Sequence, residues 1–175
     1  MTALSPDYPV WPMLFAAGSR HRVSPLLHLG AGVGRVARHA PAGIQYLATP
    51  FTKLVRGPGG TYCATAAFDA SARAGLHARR LALAGVTAIS PIVQAVEICA
   101  TRPGIGAGAG LPDPLDEAFW ADWCRPLLWA SRSVIVPAIP GWSKSVGVWR
   151  EVVWALDRNM PVFVYAGGLE GDDGQ

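Results

Sequence analysis

The sequence holds no run of about 18 or more consecutive apolar residues, the least that a membrane-crossing helix needs, although 51% of its 175 positions are apolar. That combination excludes a transmembrane helix and supplies material for one buried core, while falling short of two full domains. Cysteine is scarce: Cys63, Cys99 and Cys124 are odd in number, far apart, and without the spacing of a zinc site or a redox pair. They are expected as reduced, partly buried thiols of a cytoplasmic protein. Acid is nearly missing from residues 1–43, where Asp7 stands alone against Arg20, Arg22, Arg35 and Arg38. Residues 44–175 carry eleven side chains of each sign, so the whole formal +3 lies in the N-terminal segment. A neutral core lacks the basic face that phosphate neutralisation requires, and no nucleic-acid partner is expected.

The N-terminal segment also lacks periodicity. Residues 1–43 are rich in Pro, Gly, Ala, Ser and Arg, and only Val33 to Ala40 could make two helical turns. Met1 to Val10 contains no basic residue, against a signal peptide; a flexible or docking arm, a targeting-like leader and an over-extended start all fit. Gly30, Gly32 and Gly34 lack the third glycine of a dinucleotide loop, and no strand signal precedes them.

From Ile44 onward short apolar runs alternate with helical periods. Strands are predicted at Ile44 to Pro50, Val86 to Ile92, Ser133 to Val136 and Pro161 to Ala166. Runs of this length between turn residues are expected in a buried parallel sheet. A helix is predicted from Thr61 to Ala84, ended by Gly85, with Ala67, Ser71, Ala74, Ala78 and Leu81 inward and an Asp69–Arg73 pair outward. Residues 93–112, with Gly104, Gly106, Gly108 and Gly110, are expected as a long loop. Asp113 to Ala130 is expected as a helix kinked or divided by Pro126. Val146 to Arg158 forms the last helix, with Asn159 as its C-terminal cap. Residues 167–175 are expected as a polar tail.

The stretch Gly141-Trp142-Ser143-Lys144-Ser145-Val146-Gly147-Val148-Trp149-Arg150-Glu151 is a strand-to-helix crossover, and in open α/β sheets ligands sit where strands leave at their carboxyl ends. Glu151 in the opening turns of that helix, and Tyr46 at the end of the first core strand, therefore meet at one edge of the sheet. Tyr46-Leu47-Ala48-Thr49-Pro50-Phe51-Thr52, the helix ending in Gly85 with Ser90-Pro91-Ile92 after it, and Ser145-x-Gly147-x-x-x-Glu151 with Ala155 resemble the nucleoside 2-deoxyribosyltransferase-like superfamily. Within it they are most similar to a bacterial and phage branch with Gly-Trp and Ser-x-Gly-x-x-x-Glu signatures. The resemblance covers roughly residues 44–166.

The resemblance implies a flavodoxin-like, Rossmann-like three-layer α/β domain with a parallel sheet of four to five strands, acting on the N-glycosidic bond of a nucleoside or nucleotide without metal or cofactor. It implies that Glu151 attacks the anomeric carbon and that Tyr46 orients it. Phe51 would pack on the base, with Pro50, Ser90 and Trp142 beside the substrate and Ser145 and Gly147 offering backbone N–H groups. A carboxylate beneath an oxocarbenium-like transition state supplies both nucleophile and counter-charge, and a helix N-terminus is expected to keep it ionised. Two departures stand out. The family carries aspartate where this chain has Ser145, and its acid for the leaving base is an aspartate, for which Asp122 is the candidate here.

Each residue also has a structural reading. Ser145 is a good N-cap, Glu near a helix start is favoured by the dipole, and Tyr46 or Trp142 can simply fill the core. Trp120, Trp123, Trp129, Trp149 and Trp154 are expected in the core or at a homo-oligomer contact. A second functional expectation is a catalytically inactive nucleotide-binding or assembly module that docks on a protein partner through residues 1–43.

Overall fold

The computed structural model describes residues 8–16, 25–100 and 110–166. The elements run α1 (Trp11–Phe15), β1 (Leu27–His28), α2 (Val33–His39), β2 (Gln45–Leu47), α3 (Ala64–Leu83), β3 (Ala88–Ile89), α4 (Pro91–Cys99), α5 (Glu117–Ala130), β4 (Val134–Val136), α6 (Val146–Asp157) and β5 (Val162–Val164). All strand pairs are parallel, in the order β1-β5-β4-β2-β3. The direction in which strands are added reverses between β2 and β4, because β3 lies on one side of β2 and β4 on the other. This is the flavodoxin-like, Rossmann-like three-layer α/β architecture, and the crevice outside the carboxyl ends of β2 and β4 is its topological switch point.

Alternation along the strands divides the core in two. Tyr46, Val134, Val136, Val162 and Val164 face a layer built from α1, α5 and α6, whose Trp11, Leu128, Trp149 and Val152 cover them. Leu47, Ile135 and Phe163 point the other way, onto Val36 of α2 and Leu81 of α3. Below β2 a polar knot closes the sheet's amino edge: Gln45 Nε2 donates to the Pro41 and Gly43 carbonyls at 2.7 and 2.8 Å, and Ser133 Oγ donates to Gln45 Oε1 at 2.5 Å.

Two helix ends follow the predicted chemistry. Val86 N–H bonds to the Leu81 carbonyl at 2.9 Å and Gly85 N–H to Ala82 at 3.0 Å, with Gly85 at φ +78°. Met160 N–H bonds to Ala155 and Asn159 N–H to Leu156, with Asn159 at φ +55°. Both are Schellman caps, and a left-handed residue is what their geometry requires.

Several expectations are corrected. The N-terminal segment is built into the fold where it is described: Trp11 and Leu14 are buried, and β1 pairs with β5 to take the fifth position of the sheet. A strand therefore does precede Gly30; at two residues it is too short for an alternating pattern to show. Residues 93–99, expected as loop, belong to α4, where Pro91 occupies the first helical position that suits its missing N–H; residues 101–109, which hold most of the glycine tract, and the predicted tail at 167–175 lie outside the described residues. The helix α5 starts at Glu117, with Asp116 Oδ1 accepting from Phe119 N–H at 3.0 Å, and runs unbroken past Pro126. Pro126 and Asp122 are both exposed, so the carbonyl that the proline ring leaves without a donor faces water. No Asp69–Arg73 ion pair forms among the described residues. Charge, too, is distributed by layer more than by segment: α2 and α3 carry Arg35, Arg38, Arg73, Arg79 and Arg80 against Asp69 alone.

Candidate active site

At the switch point lies a cavity of about 750 Å³. Tyr46, the middle residue of β2, rises into it from the sheet; Glu151 enters from α6, and Cys124 from α5. The Tyr46 hydroxyl donates to Glu151 Oε1 at 2.5 Å. Tyr46 is 1% exposed, and burial followed by the Glu151 charge holds its phenol well above the usual range. The hydroxyl is thus a fixed hydrogen-bond donor that keeps its proton.

Glu151 departs from expectation in its electrostatics. It is the sixth residue of α6, beyond the first turn where the helix dipole acts. The residue keeps some exposure toward the cavity, yet its carboxyl sits deep enough that burial pushes the pKa up to about 7; the Tyr46 hydrogen bond opposes that shift without cancelling it. Desolvation, which penalises the charged form, outweighs the dipole here. Cys124 stands against both groups, and burial raises its thiol to about 11, so it remains protonated and non-nucleophilic.

The other expected residues divide. Pro50, Phe51, Ser145 and Gly147 line the cavity. Ser145 caps α6, its Oγ accepting from Val148 N–H at 3.3 Å. Gly141, at φ +85°, turns the chain into the short 3-10 segment that delivers Lys144 to the same wall. Ser90 is buried just behind the wall, which Pro91 and Ile92 form in its place. Among the described residues, Ser90 Oγ and Thr49 Oγ1 have no hydrogen-bond partner, and Thr49 lines the cavity.

Two expected site residues are elsewhere. Trp142 is 3% exposed and sits in an aromatic cluster, its ring 4.5 Å from that of Trp11, which in turn lies 4.9 Å from Trp149. It covers the sheet and does not reach the cavity. Asp122 faces solvent, paired with Arg125 at 2.6 Å. Helical geometry accounts for this: Trp120, Cys124 and Leu128 repeat at i, i+4 and i+8 along the cavity side of α5, and Asp122 is turned about 200° from Cys124. That apolar repeat was the sequence signal for Cys124. No cluster of His, Cys, Asp or Glu able to hold a metal occurs among the described residues.

An α/β domain with a buried Glu–Tyr pair at its switch point is thereby defined, and comparison places it. Residues 43–167 match the family described as Domain of unknown function (DUF1937), and the chain belongs to that family. No curated protein and no solved structure matches significantly.

Proposed function

We propose that this domain cleaves the N-glycosidic bond of a nucleoside or nucleotide, with Glu151 as nucleophile and Tyr46 as its positioning partner. The observation that carries the reading is the 2.5 Å hydrogen bond from Tyr46 to Glu151 inside the cavity at the switch point. The largely apolar walls, with Phe51 among them, suit a base, and a half-hidden carboxylate suits a developing cation.

In the first step a Glu151 oxygen bonds to the anomeric carbon as the carbon–nitrogen bond breaks. The electron pair leaves with the base nitrogen, which takes a proton from water at the cavity mouth. In the second step the hydroxide left by that transfer, or a water that gives its proton to it, attacks the anomeric carbon, the ester to Glu151 breaks, and the carboxylate returns. Tyr46 donates throughout to the oxygen that does not attack, fixing the carboxylate's orientation. With Asp122 in solvent, no side chain is assigned to protonate the leaving base.

That vacancy, together with Ser145 in the place of the family aspartate, supports a second reading: a domain that binds nucleotides without turnover. Incubation with a panel of nucleosides and their monophosphates, followed by chromatography for free base, separates the two. Base release by the wild type supports the first; binding without release from any member supports the second.

A further inference from the structure

The reaction just proposed leaves one property of the cavity unused, its charge. Lys53, Arg125, Lys144 and Arg150 line it against Glu117 and Glu151. Arg125 is held by Asp122 and Glu117 faces Arg56 at 3.9 Å. Lys53 and Lys144 have no carboxylate partner among the described residues. Lys53 Nζ donates to the Lys144 carbonyl at 2.9 Å, which ties two cationic residues 91 positions apart to one stretch of wall. Folding gains little from this arrangement, since one exposed hydrogen bond contributes little to stability, whereas an anion bound beside both residues gains from their charge.

The position is also informative. Lys144 immediately precedes the N-cap of α6, and Glu151 lies one to two turns further along the same helix. Gly147 and Glu151, four residues apart on the cavity side, are separated by about 6 Å along the axis. A sugar with its anomeric carbon over Glu151 can therefore extend its far end to the lysines.

Resting on the reading above, we propose that the lysine pair binds a phosphate of the substrate, so that the substrate is a phosphorylated nucleoside and not the free nucleoside. Lys53 and Lys144 hold the phosphate. Two ammonium groups without a carboxylate partner select charge more than shape, and the preference weakens with salt.

The test uses the full chain carrying Glu151→Gln, which binds without turning over, titrated calorimetrically with the four common 2′-deoxynucleoside 5′-monophosphates and the four matching nucleosides. The best monophosphate is expected to bind about tenfold or more tightly than its nucleoside, with the margin shrinking as salt rises. Adding Lys53→Gln and Lys144→Gln, which keep a donor and remove the charge, is expected to abolish the margin while leaving the nucleoside affinity within about twofold. Circular dichroism of the variant checks that it is folded; a single Lys144→Gln change, expected to remove part of the margin, serves if the double change unfolds it. Equal affinity for nucleotide and nucleoside, or a margin that survives loss of the lysine charges, overturns the proposal. A lysine-dependent margin in a protein that releases no base upholds phosphate recognition and sinks only the cleavage reading.

Discussion

The hydroxyl of Tyr46 donates to Glu151 Oε1 at 2.5 Å across 105 residues of chain. The bond stabilises the ionised carboxylate and so opposes the desolvation that raises its pKa. Tyr46→Phe removes it without changing shape. Loss of a hydrogen bond to a charged group costs about 1.5–3 kcal/mol, hence a decrease of about 10- to 100-fold in kcat/KM. If Glu151 must be ionised to attack, activity rises with pH through about 7 in the wild type, and in Tyr46→Phe the rising limb moves to higher pH. A pH profile of kcat/KM reads both effects; an unmoved limb contradicts the assignment.

The same burial has a consequence for stability. Glu151 titrates near 7 when folded and near 4.5 as a free side chain. Between those values the folded state binds more protons than the unfolded state, so stability falls as pH rises from 4.5 through 7 and the loss is complete above it. The loss at pH 8 is on the order of 3 kcal/mol. Glu151→Gln is expected to abolish activity and to raise the denaturation midpoint at pH 8, with little effect at pH 4.5. Urea melts at the two pH values measure this.

Trp142 is part of the core. Its ring contacts Trp11 of α1 and Phe15, so Trp142→Ala destabilises the fold by about 3–5 kcal/mol, the usual cost of an aromatic-to-alanine cavity. Trp11→Ala is expected to act alike, since α1 is fastened to the sheet through that ring. The measurement is the unfolding midpoint, and for Trp142→Ala the substrate KM of the protein that remains folded is expected to stay within about twofold.

Asp122 pairs with Arg125 on the wet side of α5. Asp122→Asn should leave kcat/KM within about twofold and shift stability by less than about 1 kcal/mol, as exposed pairs do. A fall of about a hundredfold would restore Asp122 as the acid for the leaving base.

Much of this was legible in the chain. The core strands and the two capped helix ends announce themselves through short apolar runs between turn residues and through Gly85 and Asn159 at left-handed positions. Tyr46 and Glu151 could be paired because parallel strands share one carboxyl edge. What escaped had physical reasons. β1 is two residues long, below the length at which alternation can be seen. Trp142 next to a glycine turn looks the same whether it faces a ligand or Trp11. Residue type points to Asp122, whereas the helical repeat through Trp120, Cys124 and Leu128 decides which side of α5 meets the cavity. The pKa of Glu151 depends on what desolvates it, which no local motif records.

In the proposed reaction the Glu151 carboxylate bonds to the sugar. Acid quenching during turnover with a nucleotide that releases its base, followed by peptide mass mapping, tests it most directly. One sugar residue, with its phosphate, is expected on the peptide that contains Glu151, with neither adduct nor base release in Glu151→Ala. Base release that persists at the wild-type rate in Glu151→Ala would contradict it.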